Sequence, residues 1–288
     1  MKKQKRAVLI NDMSCLGRCS ITVAMPIISA CGIESVPLPT GIFSAHSEFD
    51  GFVKEDLTDD IEKISNHWKS LGERFDCIYS GYLASRQQAE SVKNFLLDFK
   101  KSDTLYIADP VMGDNGKPYS TYTPELIRRM KELVDAADVI TPNLTETCML
   151  LGEECPPVMS VAQARSWLAR LSDKPGIVVI KGVPLIDDDG QKLSNVGFDK
   201  ESGSFWRIDW DHIPVHYPGT GDIFTSVLTA SLLKGESLPI ALNRATTFTE
   251  IAVKTTYSYG TEPRLGVLFE DCLSWLMTNT VLCDYRKL

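Results

Sequence analysis

The chain of 288 residues contains no unbroken apolar run near the roughly 18–20 residues that would span a bilayer. It is also short of positive charge. Lys and Arg number 30 against 38 Asp and Glu, a formal charge of −8, which disfavours nonspecific attraction to nucleic-acid phosphates or anionic membranes. Neither nucleic acid nor a membrane is expected as a partner. Met1-Lys2-Lys3-Gln4-Lys5-Arg6 is basic, but only Ala7 to Ile10 follow as an apolar run, too short for a secretory signal core; the expected location is cytoplasmic. The eight cysteines (15, 19, 31, 77, 148, 155, 272, 283) include no CxxC pair, which argues against structural zinc or a disulfide framework. Neither GxxxxGK[ST] nor GxGxxG with a following acidic residue occurs, and Gly113-Asp114-Asn115-Gly116-Lys117 fails the spacing. That speaks against P-loop and Rossmann nucleotide binding.

What is present is ordinary globular material, 43% hydrophobic and 24% charged, and it is patterned. Short β-branched runs recur at Ala7 to Ile10, Cys77 to Tyr79, Thr104 to Ala108, Asp138 to Ile140 and Ile177 to Ile180, the signature of buried parallel strands. Between them apolar residues step by three and four, as in Leu57, Ile61, Ile64, Trp68 and Leu71, or Leu126, Met130, Leu133 and Ala137. Each such helix would bury one face on a sheet. Pro124 suits a helix start, and Gly32 or Gly72 a helix stop. The alternation predicts an α/β three-layer sandwich with a mostly parallel sheet. Asp187 to Gly190 reads as a turn between strands, Val196 to Asp209 as an antiparallel edge hairpin about Gly203, and the segment after Gly219 as mostly helix. No repeat or linker divides the chain, so residues 1–288 are read as one domain.

Ligands of parallel α/β sheets sit beyond the carboxyl ends of the strands. The expected strand exits are Asn11-Asp12, Ser80-Gly81-Tyr82, Asp109 to Asp114, Thr141-Pro142-Asn143 and Lys181-Gly182. Each is polar or rich in Gly and Pro, which turn chemistry alone would explain; five together favour a site. Gly219-Thr220-Gly221-Asp222 opens directly into the helical run Ile223 to Leu233. Glycines there let backbone N–H groups face an anion with the helix dipole behind them, and Asp222 could take a hydroxyl proton above that cradle. The bland alternative is a first-turn Asp that stabilises its helix. Asp109, Asp114 and Glu146 are candidates for Mg²⁺, which prefers carboxylates and water. Asn143 and Glu146, three residues apart, would equally make an N-cap with its capping-box glutamate.

These motifs in this order resemble the pyridoxal kinase branch of the ribokinase-like superfamily. The resemblance rests on Gly17 with Ser20, Phe43-Ser44-Ala45-His46, Ser80-Gly81-Tyr82-Leu83-Ala84-Ser85, Asp109-Pro110-Val111-Met112-Gly113-Asp114, Thr141-Pro142-Asn143-Leu144-Thr145-Glu146 and Gly219-Thr220-Gly221-Asp222. It implies a ribokinase-like fold and ATP-dependent phosphorylation of the hydroxymethyl group of a vitamin B6 vitamer. Asp222 would be the catalytic base, with Gly219, Thr220 and Gly221 holding the transferring phosphate. Asp109 and Glu146 would lie at the metal, Asn143 and Lys181 near the triphosphate, and Asp114 and Tyr122 in a loop covering it. Ser44, His46 and Tyr82 would meet the substrate ring. ATP and Mg²⁺ are the implied cofactors, with a monovalent cation as a further candidate, and a homodimer is the implied assembly.

The substrate end departs from the pattern. Many pyridoxal kinases carry Gln-Ser-His where this chain has Asn11-Asp12-Met13, so Asp12 replaces a serine at the pyridine ring. A carboxylate there would pair with a cationic ring nitrogen or an aminomethyl group, favouring pyridoxamine or an aminopyrimidine over the aldehyde. The alternatives are a hydroxymethylpyrimidine kinase of thiamine synthesis, a sugar kinase of the wider superfamily, and a non-catalytic binder of vitamer or nucleotide. Cys15 and Cys19, on either side of Gly17 and Arg18, read as inert thiols more than as partners for an aldehyde.

Overall fold

Alternation along the first strand sets the architecture: Ala7 and Leu9 enter one core cluster while Val8 and Ile10 enter another. A strand apolar on both faces needs cover on both, and the chain supplies it. The computed structural model describes residues 4–278 and 284–288; Met1-Lys2-Lys3 and Cys283 lie outside the described residues. The elements are β1 (Arg6–Leu16), α1 (Ile21–Ala30), β2 (Glu34–Ala45), β3 (Lys54–Asp56), α2 (Thr58–Ser70), β4 (Cys77–Ser80), α3 (Arg86–Phe99), β5 (Leu105–Ala108), β6 (Gly113–Asp114), β7 (Lys117–Pro118) and α4 (Pro124–Ala136). They continue with β8 (Val139–Ile140), α5 (Leu144–Leu151), β9 (Met159–Ser160), α6 (Val161–Leu171), β10 (Ile177–Asp187), β11 (Gly190–Asp199), β12 (Ser204–Trp210), α7 (Thr220–Leu233), α8 (Leu238–Tyr259), α9 (Leu273–Leu276) and β13 (Arg286–Lys287).

One sheet runs β13-β12-β11-β10-β8-β5-β4-β1-β2-β3, with β9 added to β10. Pairing is parallel from β10 through β8, β5, β4 and β1 to β2, and antiparallel at β3, β11, β12 and β13. Helices α2 to α6 cover one face through Ile61, Phe95, Met130, Cys148 and Trp167. Helices α1, α7, α8 and α9 cover the other through Ile27, Val227, Phe248 and Leu276. This is the three-layer sandwich with an antiparallel edge hairpin that the sequence predicts. No helix among the described residues is long and apolar enough to cross a membrane.

Two expected strand exits are not exits. β1 continues beyond Asn11-Asp12 to Leu16 because β2 keeps pairing with it across a register shift between Asn11 and Met13. β10 likewise continues beyond Lys181-Gly182, paired to β11 across an irregularity between Ile180 and Val183. Both polar pairs therefore sit at interruptions inside long strands, where a bulge re-aims side chains.

Candidate active site

Helix α7 begins at the site's centre. Its N-cap Gly219 has φ 80, and a β-carbon there would stand 2.0 Å from the Arg18 carbonyl oxygen. Only glycine lets the β1–α1 loop approach this closely. No side chain caps the helix, which leaves its first amides to an anion, and Thr220 donates its hydroxyl to the Tyr217 carbonyl at 3.3 Å.

Asp222, in the first turn of α7, accepts the Ser20 amide on Oδ2 at 2.8 Å. Burial pushes its carboxyl up to about 7; Asp109 and Asp12 add to the rise, while the Ser20 amide and Lys181 oppose it. A carboxylate that titrates near neutrality is suited to proton transfer. Lys181 lies beside the same helix turn and donates to both Asp109 oxygens at 2.8 and 3.0 Å. Burial alone would lower the lysine; Asp109 and Glu146 reverse this and raise it. Asp109 also accepts the Thr225 hydroxyl from α7 at 2.9 Å.

Glu146 closes a capping box on α5: its Oε2 accepts the Asn143 amide at 2.7 Å while Asn143 Oδ1 accepts the Glu146 amide at 2.8 Å. Its other oxygen accepts the Met112 amide at 3.2 Å. Burial raises it to about 8, against Lys181 and with Asp109. The cap foreseen for this pair is thus real, yet both residues also face the cavity. Among the described residues no group of three or more His, Cys, Asp or Glu side chains is placed to hold a metal by itself.

The cavity has a volume of about 640 Å³. Its walls include Asp109, Asp114, Asn143, Glu146, Lys181 and Gly219 to Asp222, which come from well-separated stretches of sequence and are brought together by the strand ends and α7. Tyr122 is not among them. It is buried and packs its ring against Tyr82 at 6.2 Å; Tyr119 of the same loop lines the cavity instead. Sequence reasoning also missed the strap from Trp210 to Tyr217 that lines the cavity ahead of Gly219, where His216 reaches Glu48 at 3.2 Å and Asp114 at 3.8 Å. The run of aromatic and imidazole residues just before Gly219 was the available signal.

Of the expected substrate residues Asp222 lines this cavity, whereas Asp12, Ser44, His46 and Tyr82 are not among its walls. Asp12 is buried and accepts the hydroxyls of Ser14 at 2.9 Å and Ser20 at 2.6 Å. Burial raises its carboxyl, against those two bonds. Tyr82 hangs from Asn11 by its amide, and its hydroxyl donates to Thr121. Ser44 Oγ accepts the Val53 amide at 2.8 Å. His46 is structurally satisfied: Nε2 meets the Arg264 carbonyl oxygen at 2.7 Å and Nδ1 accepts the Glu48 amide at 3.3 Å. A carbonyl only accepts, so the imidazole is the neutral Nε2–H tautomer. The Cys19 thiol is raised by burial, with Asp12 and Asp222 adding to it, which makes it inert.

The phosphomethylpyrimidine kinase family model matches residues 58–265. The fold is shared with a structure described as a phosphomethylpyrimidine kinase of Bacteroides thetaiotaomicron, in a crystal form with pyridoxal: 41% identity, TM-score 0.94, 99% of this chain and 100% of that one. It is shared too with pyridoxal kinase of Lactobacillus plantarum, at 27% identity and TM-score 0.86 over 96% and 97% of the two chains. Pyridoxal kinase PdxY of Aliivibrio fischeri is 26% identical over 89% of this chain and 91% of its own. The chain therefore belongs to the phosphomethylpyrimidine kinase family, whose relatives include the pyridoxal kinases its motifs resemble, and is a phosphotransferase acting on an alcohol group.

Proposed function

We propose that the chain transfers the γ-phosphoryl group of ATP to the hydroxymethyl group of a vitamin B6 vitamer, with Asp222 as general base. The observation that carries this is the Asp222 carboxyl, poised near neutrality at the uncapped start of α7 and fixed by the Ser20 amide. In its ionised form it takes the hydroxyl proton as the alcohol oxygen attacks phosphorus and the bond to the nucleotide leaving group breaks. The Gly219 to Gly221 segment presents backbone amides to the transferring oxygens, and Lys181 adds a positive charge beside them. A pyridoxal-containing relative at 41% identity supports the B6 assignment, and residues 1–288 are taken to work as one kinase domain.

Asp109 and Glu146 fit Mg²⁺ in kind: both offer hard oxygen donors at the cavity wall, and Mg²⁺ is commonly bound by one or two carboxylates plus phosphates. When bound, the ion would neutralise charge on the nucleotide oxygens. Asn143 and Asp114 would flank the triphosphate. A second reading, a hydroxymethylpyrimidine kinase, is favoured by Asp12, whose carboxylate suits an amino-substituted ring.

The test is ADP release with ATP and Mg²⁺, with pyridoxal, pyridoxine, pyridoxamine and hydroxymethylpyrimidine offered in parallel and each product weighed by mass spectrometry. Asp222→Asn should lower kcat by about 10²–10⁴-fold with vitamer Kd changed little. Turnover with the pyrimidine alone would transfer the assignment to the second reading. Survival of turnover in Asp222→Asn would remove Asp222 as base, and binding without turnover in the wild type would make the chain a binder.

A further inference from the structure

An N-cap serine ordinarily turns its hydroxyl onto an amide of the first helical turn. Ser20, at the N-cap of α1, does not: the helix has no side-chain cap, and the Ser20 hydroxyl donates to Asp12 Oδ1 at 2.6 Å. Its amide donates to Asp222 Oδ2 at 2.8 Å, and its carbonyl receives the Val23 and Ala24 amides at 3.1 and 3.0 Å. One residue thus serves α1 with its carbonyl, Asp222 with its N–H and Asp12 with its hydroxyl.

The backbone is strained to do so. Ser20 stands at φ 57 and ψ −135, and only it and Asn115 among the described non-glycine residues have positive φ. Asn115 lies in an exposed hairpin turn; Ser20 is 6% exposed. Such strain persists only where the surroundings over-determine it. Here the surroundings are the α7 N-terminus, seated on the Arg18 carbonyl next door.

We propose that Ser20 is the positioning residue for both carboxylates: its amide, aimed by the positive φ, holds Asp222 for the attacking hydroxyl, and its hydroxyl holds Asp12 for the polar group of the substrate ring. This role presupposes Asp222 as the base. It assigns the amide to turnover and the hydroxyl to substrate affinity.

Two variants separate the parts. Ser20→Gly and Ser20→Ala both lose the hydroxyl, but glycine accepts the positive φ and alanine resists it, so their difference isolates the backbone. Ser20→Gly should raise KM for the vitamer about tenfold and lower kcat only about threefold. Ser20→Ala should lower kcat about 100-fold as the base is displaced. A carboxyl ¹³C titration provides a readout that needs no turnover. Asp222 also faces Asp12, Asp109 and Lys181; of these, Asp12 loses the same hydroxyl in both variants. The Asp222 midpoint should therefore stay near wild type in Ser20→Gly and rise in Ser20→Ala, where the amide bond to the charged form is weakened.

Equal kcat and equal titration in the two variants would overturn the backbone role, and an unchanged KM in Ser20→Gly would overturn the hydroxyl's. Should the alanine variant fail to fold, the glycine variant decides: a raised KM with kcat largely kept upholds the assignment, and a collapse of kcat refutes it. A wild type that phosphorylates no vitamer would sink the proposed function, while the titrations would still decide Ser20.

Discussion

Lys181 shows at the level of one residue how the site holds charge. Its ammonium is bound to Asp109, whose side chain is 1% exposed, and among the described residues the carboxylate has only the Thr225 hydroxyl besides. Removing one partner of a buried pair leaves an uncompensated charge, at a cost of about 3–5 kcal/mol. Lys181→Met should destabilise the chain by that order in urea unfolding. Asp109→Asn added to Lys181→Met should recover part of the loss, since no orphan charge then remains; a double variant as unstable as the single one would show that Lys181 acts through packing instead. His46 teaches the opposite lesson at the same scale. Its place in a recognised motif made it a substrate contact on paper, yet both ring nitrogens are spent on backbone groups.

At the level of elements, the junction of α7 with the β1–α1 loop decides whether the proposed phosphate cradle, the proposed base Asp222 and Ser20 meet. Gly219→Ala forces a β-carbon to 2.0 Å from the Arg18 carbonyl oxygen, so the loop must move. A displacement near 1 Å in a site can cost about 100-fold, and activity should fall at least that far. Gly203→Ala is the control: its φ is also positive, 65, but nothing lies within 4 Å, so it should cost about 1–2 kcal/mol of stability and leave kcat intact. The glycine-led start of α7 was legible, because Gly219 and Gly221 stand directly before an apolar helical run. The central strands were legible for the same reason, being short β-branched runs. β2 was not, since Pro37 and Pro39 argue against a strand. The Glu34 amide donates to the Lys5 carbonyl, so by alternation the two prolines turn their missing N–H away from β1, and β3 covers only Gly41 to Phe43. Nor could sequence show that β1 and β10 run on past Asp12 and Lys181, because the pairing that extends them comes from distant partners. Tyr122 and Tyr119 sit in one polar loop, and only packing against Tyr82 decides which turns inward.

The whole molecule must pay for a buried acidic site with a surplus of negative charge, −8 in all, and pH is the variable that exposes this. Asp222 has a folded pKa near 7 against an ordinary 3.8, so the folded state binds its proton more tightly than the unfolded one. A group raised in this way contributes stability that is complete below the unfolded value and is lost as pH climbs through the folded one. Burial raises Asp12 in the same direction. Partnered surface carboxylates have the reverse sign: Asp56 beside Thr58, Glu125 beside Arg128, Asp187 beside Arg207 and Asp211 beside Lys254 are all lowered, and their contribution disappears as pH falls below the ordinary carboxylate range. The two sets together predict a stability maximum on the mildly acidic side, with the urea midpoint falling between about pH 5 and pH 8. Asp222→Asn carries no charge to bury, so its profile over that window should be flatter than wild type and should lie above it at pH 8. A wild-type midpoint that rose from pH 5 to pH 8, or an Asp222→Asn profile parallel to it, would mean that Asp222 is ionised at little cost in the folded chain, and the base would then be set by solvent access instead of burial.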